Sequence, residues 1–391
     1  MTLTFVSNYI NHHQKPMSDR LYERLGKDYT FIQTEDVAAE RLNMGWEDLA
    51  ASVPYVKKYS EDPEGCKELI ANSDVVIFGG QDDESFIEPR LLLKKPVLRY
   101  SERIYKTGQW KAISPRGLKK KYHDHIRYRK DPVYLLCAGA YVASDFALIH
   151  AYPGKMIKWG YFPEIKEQDV DALMQGKKSQ KGVMEILWAG RMIDWKHPEI
   201  AIEAAKYLLS QGVTDFHLTM VGGGELEEAL KAMVCDPLKA HIDFAGFQSP
   251  EEVRTYMESA DIYLFTSDRQ EGWGAVLNEA MNSGCAVLAS HEIGATPYLV
   301  KDGENGIVFK SRDQKDLNRR LYELMQKGDS ESLGRAAYQT VHELWNPGVA
   351  AERLIKICEE LKEGRVQTRF EEGPGSRAEV YSPRRYWCKI R

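Results

Sequence analysis

A chain of 391 residues with 43% hydrophobic and 28% charged side chains is ordinary globular material, long enough for two or three domains with separate cores. Its net charge of −5 argues against nucleic acid as a global partner, because a backbone-binding protein presents a strongly basic face. The six cysteines are scattered without a CxxC pair or zinc-like spacing, no long apolar run occurs, and the chain starts directly with strand-like TLTFVSN. These features predict reduced thiols, no membrane span, no export signal and a cytoplasmic protein.

In chain order, the first half carries short apolar runs at 3–8, 29–34, 74–80, 96–101 and 133–139, alternating with helical or irregular segments. After the third run, Gln81, Asp82, Asp83 and Glu84 could suggest a carboxylate metal site. Their place ahead of the helix-like SFIEPRLLLK reads better as a helix cap, and no metal is expected. Pro115 to Lys130 then holds seven Lys or Arg and a single acidic residue, with Tyr122, Ile126 and Tyr128 interleaved. Such a segment could be a solvated helix, an RNA contact, or a dock for anionic lipid beside a lipid-linked acceptor.

The second half is more regular. Apolar runs at 185–191, 216–222, 242–247, 261–267, 286–290 and 306–309 alternate with helical patterns, which is the order of a parallel sheet covered on both faces. Three helical patterns close the chain, from Asp313, from Ser330 and from Pro347 to Gly364. The expected organisation is α/β: a doubly wound domain at 1–160, a second at 161–345, and a helix and charged tail at 346–391 crossing back to the first. Ligands of such sheets bind at the carboxyl ends of the strands, so the chemistry is sought in the loops that follow them.

Arg191 and Lys196 follow the 185–191 run in GRMIDWKH, a planar fork and a mobile charge suited to neutralising a diphosphate. In MVGGGELEEAL, Gly222 and Gly224 match the first two glycines of a dinucleotide fingerprint, but Glu227 stands at the third position. Those glycines are therefore expected to serve tight packing and backbone approach to a ligand. In QEGWGAVLNEAMNSG, Glu271 and Glu279 stand eight positions apart across a helix start, and Gly272 and Gly274 leave amides open to an anion.

Together GRMIDWKH, MVGGGELEEAL, FAGFQSPEEV, SADIYLFTSDRQEGWGAVLNEAMNSGCAVLAS and GENGIVF resemble, in order, the retaining family 4 glycosyltransferases of GT-B fold, over roughly residues 160–345. The resemblance implies two Rossmann-like domains facing a cleft, and transfer of a sugar from a UDP- or GDP-sugar to a glycan or lipid-linked acceptor with retention. It assigns Arg191 and Lys196 to the donor diphosphate and Glu271 to the sugar hydroxyls. It sets the amides of Gly272, Trp273, Gly274, Ala275 and Val276 along sugar and phosphate, Glu279 on the ribose, and Gly246 and Phe247 beside the base. No cofactor beyond the nucleotide sugar is implied, protein cations standing in for a metal.

The chain departs from the family in two places. Where relatives often have His at the end of an N-domain strand it has Glu102 and Arg103, with His12 and His13 as candidate substitutes. The usual GG followed by Glu reads Gly294, Ala295 and then Tyr298. A nucleotide-sugar epimerase of the same fold, or a non-catalytic nucleotide-sugar-binding protein, would share much of this pattern.

Overall fold

The computed structural model describes residues 1–37, 48–179, 182–367 and 370–391. They form two compact units: Met1–Glu164 with Trp345–Ser382, and Ile165–Leu344 with Pro383–Arg391.

The first unit is built on seven parallel strands, β1 (Leu3–Ser7), β2 (Tyr29–Gln33), β3 (Val56–Lys58), β4 (Val75–Gly79), β5 (Val97–Ser101), β6 (Val133–Ala138) and β7 (Met156–Trp159). Their order across the sheet is β3-β2-β1-β4-β5-β6-β7. Every residue of β1, β4 and β6 is buried, as their largely apolar sequences require when helices cover both faces. Val6, Val76, Phe78, Leu135 and Phe146 anchor one of the resulting cores. The short strands β3 and β7 at the two edges were not legible as apolar runs. The edge of β7 is covered from within the unit: Lys158 N–H donates to Ser376 (2.7 Å) and Ala378 N–H to Met156 (3.0 Å). The GPGS stretch at 373–376, within the segment expected to be a charged tail, thus helps close a sheet edge.

The second unit has six parallel strands, β8 (Met184–Ala189), β9 (Phe216–Val221), β10 (Ile242–Gly246), β11 (Ile262–Phe265), β12 (Ala286–Ser290) and β13 (Ile307–Phe309). Their order is β10-β9-β8-β11-β12-β13, and Ile186, Trp188, Leu208, Leu264 and Leu317 lie in its core. Capping follows the sequence closely. Ser249 and Glu252 form a reciprocal capping box on Pro250–Ser259, and Asp313 and Asn346 cap the helices that follow them.

The division of the chain differs from expectation at the end. Helix Pro347–Lys362 belongs to the first unit, packed on Lys15–Leu25, but the last nine residues return to the second. The cause is local: Tyr386 of helix Pro383–Ile390 is buried, Trp387 packs against His291 (5.1 Å between rings), and Arg391 pairs with Asp316 at 2.6 Å. The first boundary falls at Glu164/Ile165 rather than at 160.

Candidate active site

In the second unit Arg191 and Lys196 follow β8, Glu271 and the 272–276 segment follow β11, and Gly246 and Phe247 stand at the end of β10. Beyond β8 the chain makes a short turn, Asp194–Lys196, and His197 leaves it in the left-handed region (φ 49°). The turn is fastened to the loop after β11. The Thr266 hydroxyl donates to the Lys196 carbonyl (2.6 Å) and itself accepts from the Trp188 indole (2.8 Å), while the Asp268 amide donates to the Trp195 carbonyl (3.0 Å).

The side chains of Lys196 and Glu271 meet directly in an ion pair, and Ser267 Oγ donates to the same Glu271 oxygen at 3.0 Å. Both members of the pair are largely shielded from water. The Lys196 ammonium also lies 4.7 Å from the Trp195 ring centre and 5.7 Å from that of Phe265. Arg191 is exposed, its guanidinium 5.9 Å from the Trp195 ring, and among the described residues it has no carboxylate partner. One cation is therefore held by a carboxylate and the other is left open. Trp195, Ser267 and Asp268 complete this arrangement and carried no motif signal that would have singled them out.

The segment 271–276 runs under the loop after β12. Gly294 N–H donates to the Glu271 carbonyl (3.2 Å) and Ala295 N–H to that of Trp273 (3.1 Å). The Trp273 side chain is fully buried and donates to Asn278 Oδ1 (3.0 Å), so it pins the loop from beneath. Gly274 has φ 90°, and a Cβ there would stand 2.6 Å from the Phe265 ring. Among the described residues the amides of Gly272, Gly274, Ala275 and Val276 donate to no protein acceptor, which leaves a set of N–H groups at the start of helix Val276–Asn282. Glu279 lies one turn in. Burial raises its carboxyl to about 7 against the opposing pull of the Arg254 charge. Arg254 itself donates to the Glu279 carbonyl (3.1 Å) and to Asn282 Oδ1 (2.9 Å). The two glutamates thus sit in different settings with different neighbours and do not form a proton-sharing dyad.

Gly222 is needed for packing: a Cβ there would lie 2.0 Å from the Gly190 carbonyl oxygen, while one at Gly224 would lie 2.6 Å from that of Met192. These close approaches press the loops after β8 and β9 together. Gly246 (φ 68°) ends β10, and its carbonyl accepts from Gly222 N–H at 2.8 Å. The next residue, Phe247, is 71% exposed, an aromatic face open to a ligand.

The N-domain candidates gather in the first unit, around a cavity of about 700 Å³ at the carboxyl ends of β1, β4 and β5. Asn8, Asn11, His13, Gln81, Tyr100 and Glu102 are among its polar lining. The His13 ring stacks on Tyr161 (5.8 Å, 5° between planes), and burial with the neighbouring His12 lowers it to about 3, so it stays neutral. Glu102 accepts from the Tyr161 hydroxyl (2.6 Å) and is ion-paired with Lys106. Arg103 also lines the cavity, but its guanidinium is engaged by buried Asp145 at 3.1 Å, which gives it a bracing role. His12 is exposed beside His13. Asp83 caps the turn Glu84–Phe86 by accepting from Ser85 N–H (2.9 Å), and Glu84 is tied to Arg99.

Residues 169–340 match the family model of glycosyl transferases group 1. Among curated relatives, the amylovoran biosynthesis glycosyltransferase AmsK of Erwinia amylovora is 32% identical over 185 residues, 46% of this chain and 45% of the relative. The putative colanic acid biosynthesis glycosyltransferase WcaL of Salmonella typhimurium is 29% identical over 224 residues, 54% of this chain and 55% of the relative. The chain spans about half the length of the curated relatives it matches.

Solved structures extend the likeness in fold to nearly the whole chain. Anabaena Alr3699/HepE in complex with UDP superposes with a TM-score of 0.67 at 15% identity, covering 92% of this chain and all of that one. The lipopolysaccharide outer core galactosyltransferase WaaB gives 0.65 at 14%, covering 91% of this chain and 98% of its own. The fold is GT-B, two α/β units each on a parallel sheet.

Proposed function

We propose that the protein is a retaining glycosyltransferase that moves a hexose from a UDP-sugar to a glycan or lipid-linked acceptor, in the building of a surface polysaccharide or glycoconjugate. The observation that carries this reading is the Lys196–Glu271 ion pair, with the open Arg191 beside the same Trp195 ring, at the strand ends of the segment that matches the glycosyl transferases group 1 model. The named relatives act in amylovoran and colanic acid biosynthesis, and the HepE structure holds UDP, which favours uridine over guanosine in the donor.

In this reading Arg191 and Lys196 grip the donor diphosphate, and Lys196 exchanges part of its contact with Glu271 for phosphate oxygens. As the bond from the anomeric carbon to the phosphate oxygen breaks, negative charge grows on the leaving diphosphate, where two cations and the open amides of Gly272, Gly274, Ala275 and Val276 stabilise it. The acceptor hydroxyl attacks from the face that the diphosphate leaves, and its proton passes to the departing phosphate oxygen. Glu271, released from full pairing, accepts hydrogen bonds from the sugar hydroxyls, and Glu279 accepts them from the ribose. The amide- and hydroxyl-rich cavity of the first unit receives the acceptor, with neutral His13, Tyr161 and Glu102 as its polar contacts. Protein cations take the part that a metal plays elsewhere, and the site of action is cytoplasmic.

The test is a donor panel with an acceptor glycan, following nucleoside diphosphate release and the anomeric configuration of the product by NMR. Acceptor-dependent UDP release with a retained anomeric bond is expected. Turnover of the nucleotide sugar to an epimer without acceptor, or an inverted product, would refute the proposal.

A further inference from the structure

The first unit carries a second charged surface, on the elements Gln109–Ile113 and Pro115–Asp124. Helix Pro115–Asp124 buries none of its residues, so its sequence is not chosen to fill a core. Trp110 (69% exposed), Ile113 (80%), Tyr122 (56%) and Leu118 (38%) all meet solvent within thirteen positions, a density of open apolar groups that calls for a partner. Cations surround them: from Lys111 to Lys130 there are eight Lys or Arg and one carboxylate, in a chain whose overall charge is −5.

A cavity of about 400 Å³ opens on this surface, lined in part by Arg116, Lys119, His123, Glu84, Glu88 and Asp124. Each of its carboxylates is already paired. Glu84 holds Arg99 at 2.7 Å, Asp124 holds Lys120 at 3.1 Å, and Glu88 is bonded to Arg127. The buried Arg99 fork also donates to the Asp124 carbonyl (2.8 Å), which fixes the end of the helix against β5. Among the described residues Arg116, Lys119 and His123 have no acidic partner, so a braced cavity presents unneutralised donors beside open apolar side chains.

We infer that this surface docks on an anionic membrane, with Trp110, Ile113, Leu118 and Tyr122 entering the interface and a lipid phosphate seated between Arg116 and Lys119. The inference deepens the lipid-linked acceptor of the proposed function and rests on that reading for its purpose, but not for its physics. Charge complementarity selects an anionic partner, and open aliphatic groups such as Ile113 and Leu118 select lipid over nucleic acid, whose backbone offers them nothing to pack on.

The test is flotation of the full chain, without donor or acceptor, on phosphatidylcholine vesicles with and without phosphatidylglycerol, at low and high salt. Binding to the anionic vesicles alone, weakened by salt, is expected. R116E with K119E should reduce it by roughly tenfold or more. W110S with I113S should reduce it while leaving its salt dependence in place. These side chains are exposed, so unchanged thermal melting shows that the variants fold, and turnover on a water-soluble acceptor should be kept. Equal binding to neutral vesicles, undiminished binding by both variants, tighter capture of single-stranded RNA, or release by inorganic phosphate but not by chloride of equal ionic strength would overturn the inference. A docking surface without transferase activity would instead refute the proposed function alone.

Discussion

Lys196 is held by a carboxylate, a hydroxyl-braced loop and two aromatic rings, so its charge is aimed before any ligand arrives. Removing one such donor at a charge-developing site costs about 2.7–4 kcal/mol of transition-state stabilisation, so K196A and R191A are each expected to lower kcat/KM by about a hundredfold or more. Steady-state kinetics with saturating acceptor checks this, and near-normal values in both variants would remove these residues from the site. Glu279 gives a second prediction. Burial raises its carboxyl to about 7, so the folded protein binds a proton there that the unfolded chain has released. The stabilisation is full below the ordinary carboxyl range near 4.5 and is lost as pH rises through about 7. Urea denaturation across that window should show stability falling with pH, and E279Q should remove this part of the slope. Arg191, Lys196 and Glu271 were legible because charged residues after strand ends have few structural reasons to be there. Trp195 and Asp268 were not, because a tryptophan or aspartate in a loop is compatible with many settings and only the fold shows what it touches.

The turn 194–197 and the loop 266–271 behave as one element, and His197 is its tie. It sits in a backbone region that favours glycine, with Nδ1 3.1 Å from Glu199 and Nε2 3.5 Å from Asp268. Contact with Asp268, and then with Glu199, raises its imidazole to about 9. A raised folded value means that its stabilisation is fully present below the ordinary histidine value of 6.5 and lost as pH rises through about 9. Asp268, held low by His197 and close to Arg312, and Glu199 are the charged groups that face it. Melting temperature should therefore decline between pH 6.5 and 9 in the parent protein. H197G should keep the left-handed turn and lose the decline, and an equal decline in H197G would place its origin elsewhere. Elements of this kind mark the limit of sequence reading. The central strands were plain as apolar runs, but β3 and β7 were hidden, since three or four residues at a sheet edge carry too little pattern to separate from loop.

At the scale of the whole molecule, the chain passes from the first unit to the second, back, and then to the second again, so neither unit is contiguous in sequence. The helix Pro347–Lys362 buries Ala350, Leu354, Ile357 and Leu361 in the first unit, and 373–378 closes the edge of β7. Full burial of a Leu or Ile contributes about 1.5–3 kcal/mol, so the three large side chains alone supply roughly 5–9 kcal/mol. A domain's net stability is about 5–15 kcal/mol, and the first unit cannot be expected to stand without this segment. Residues 1–164 expressed alone should therefore be insoluble or lack a cooperative melt. The same residues joined through a Gly/Ser linker to 345–382 should melt as one transition in calorimetry and keep the neutral His13 cavity as judged by its NMR titration. A cooperative fold for 1–164 alone would show that the returning helix is an accessory, and would move the source of the unit's stability back to the sheet itself.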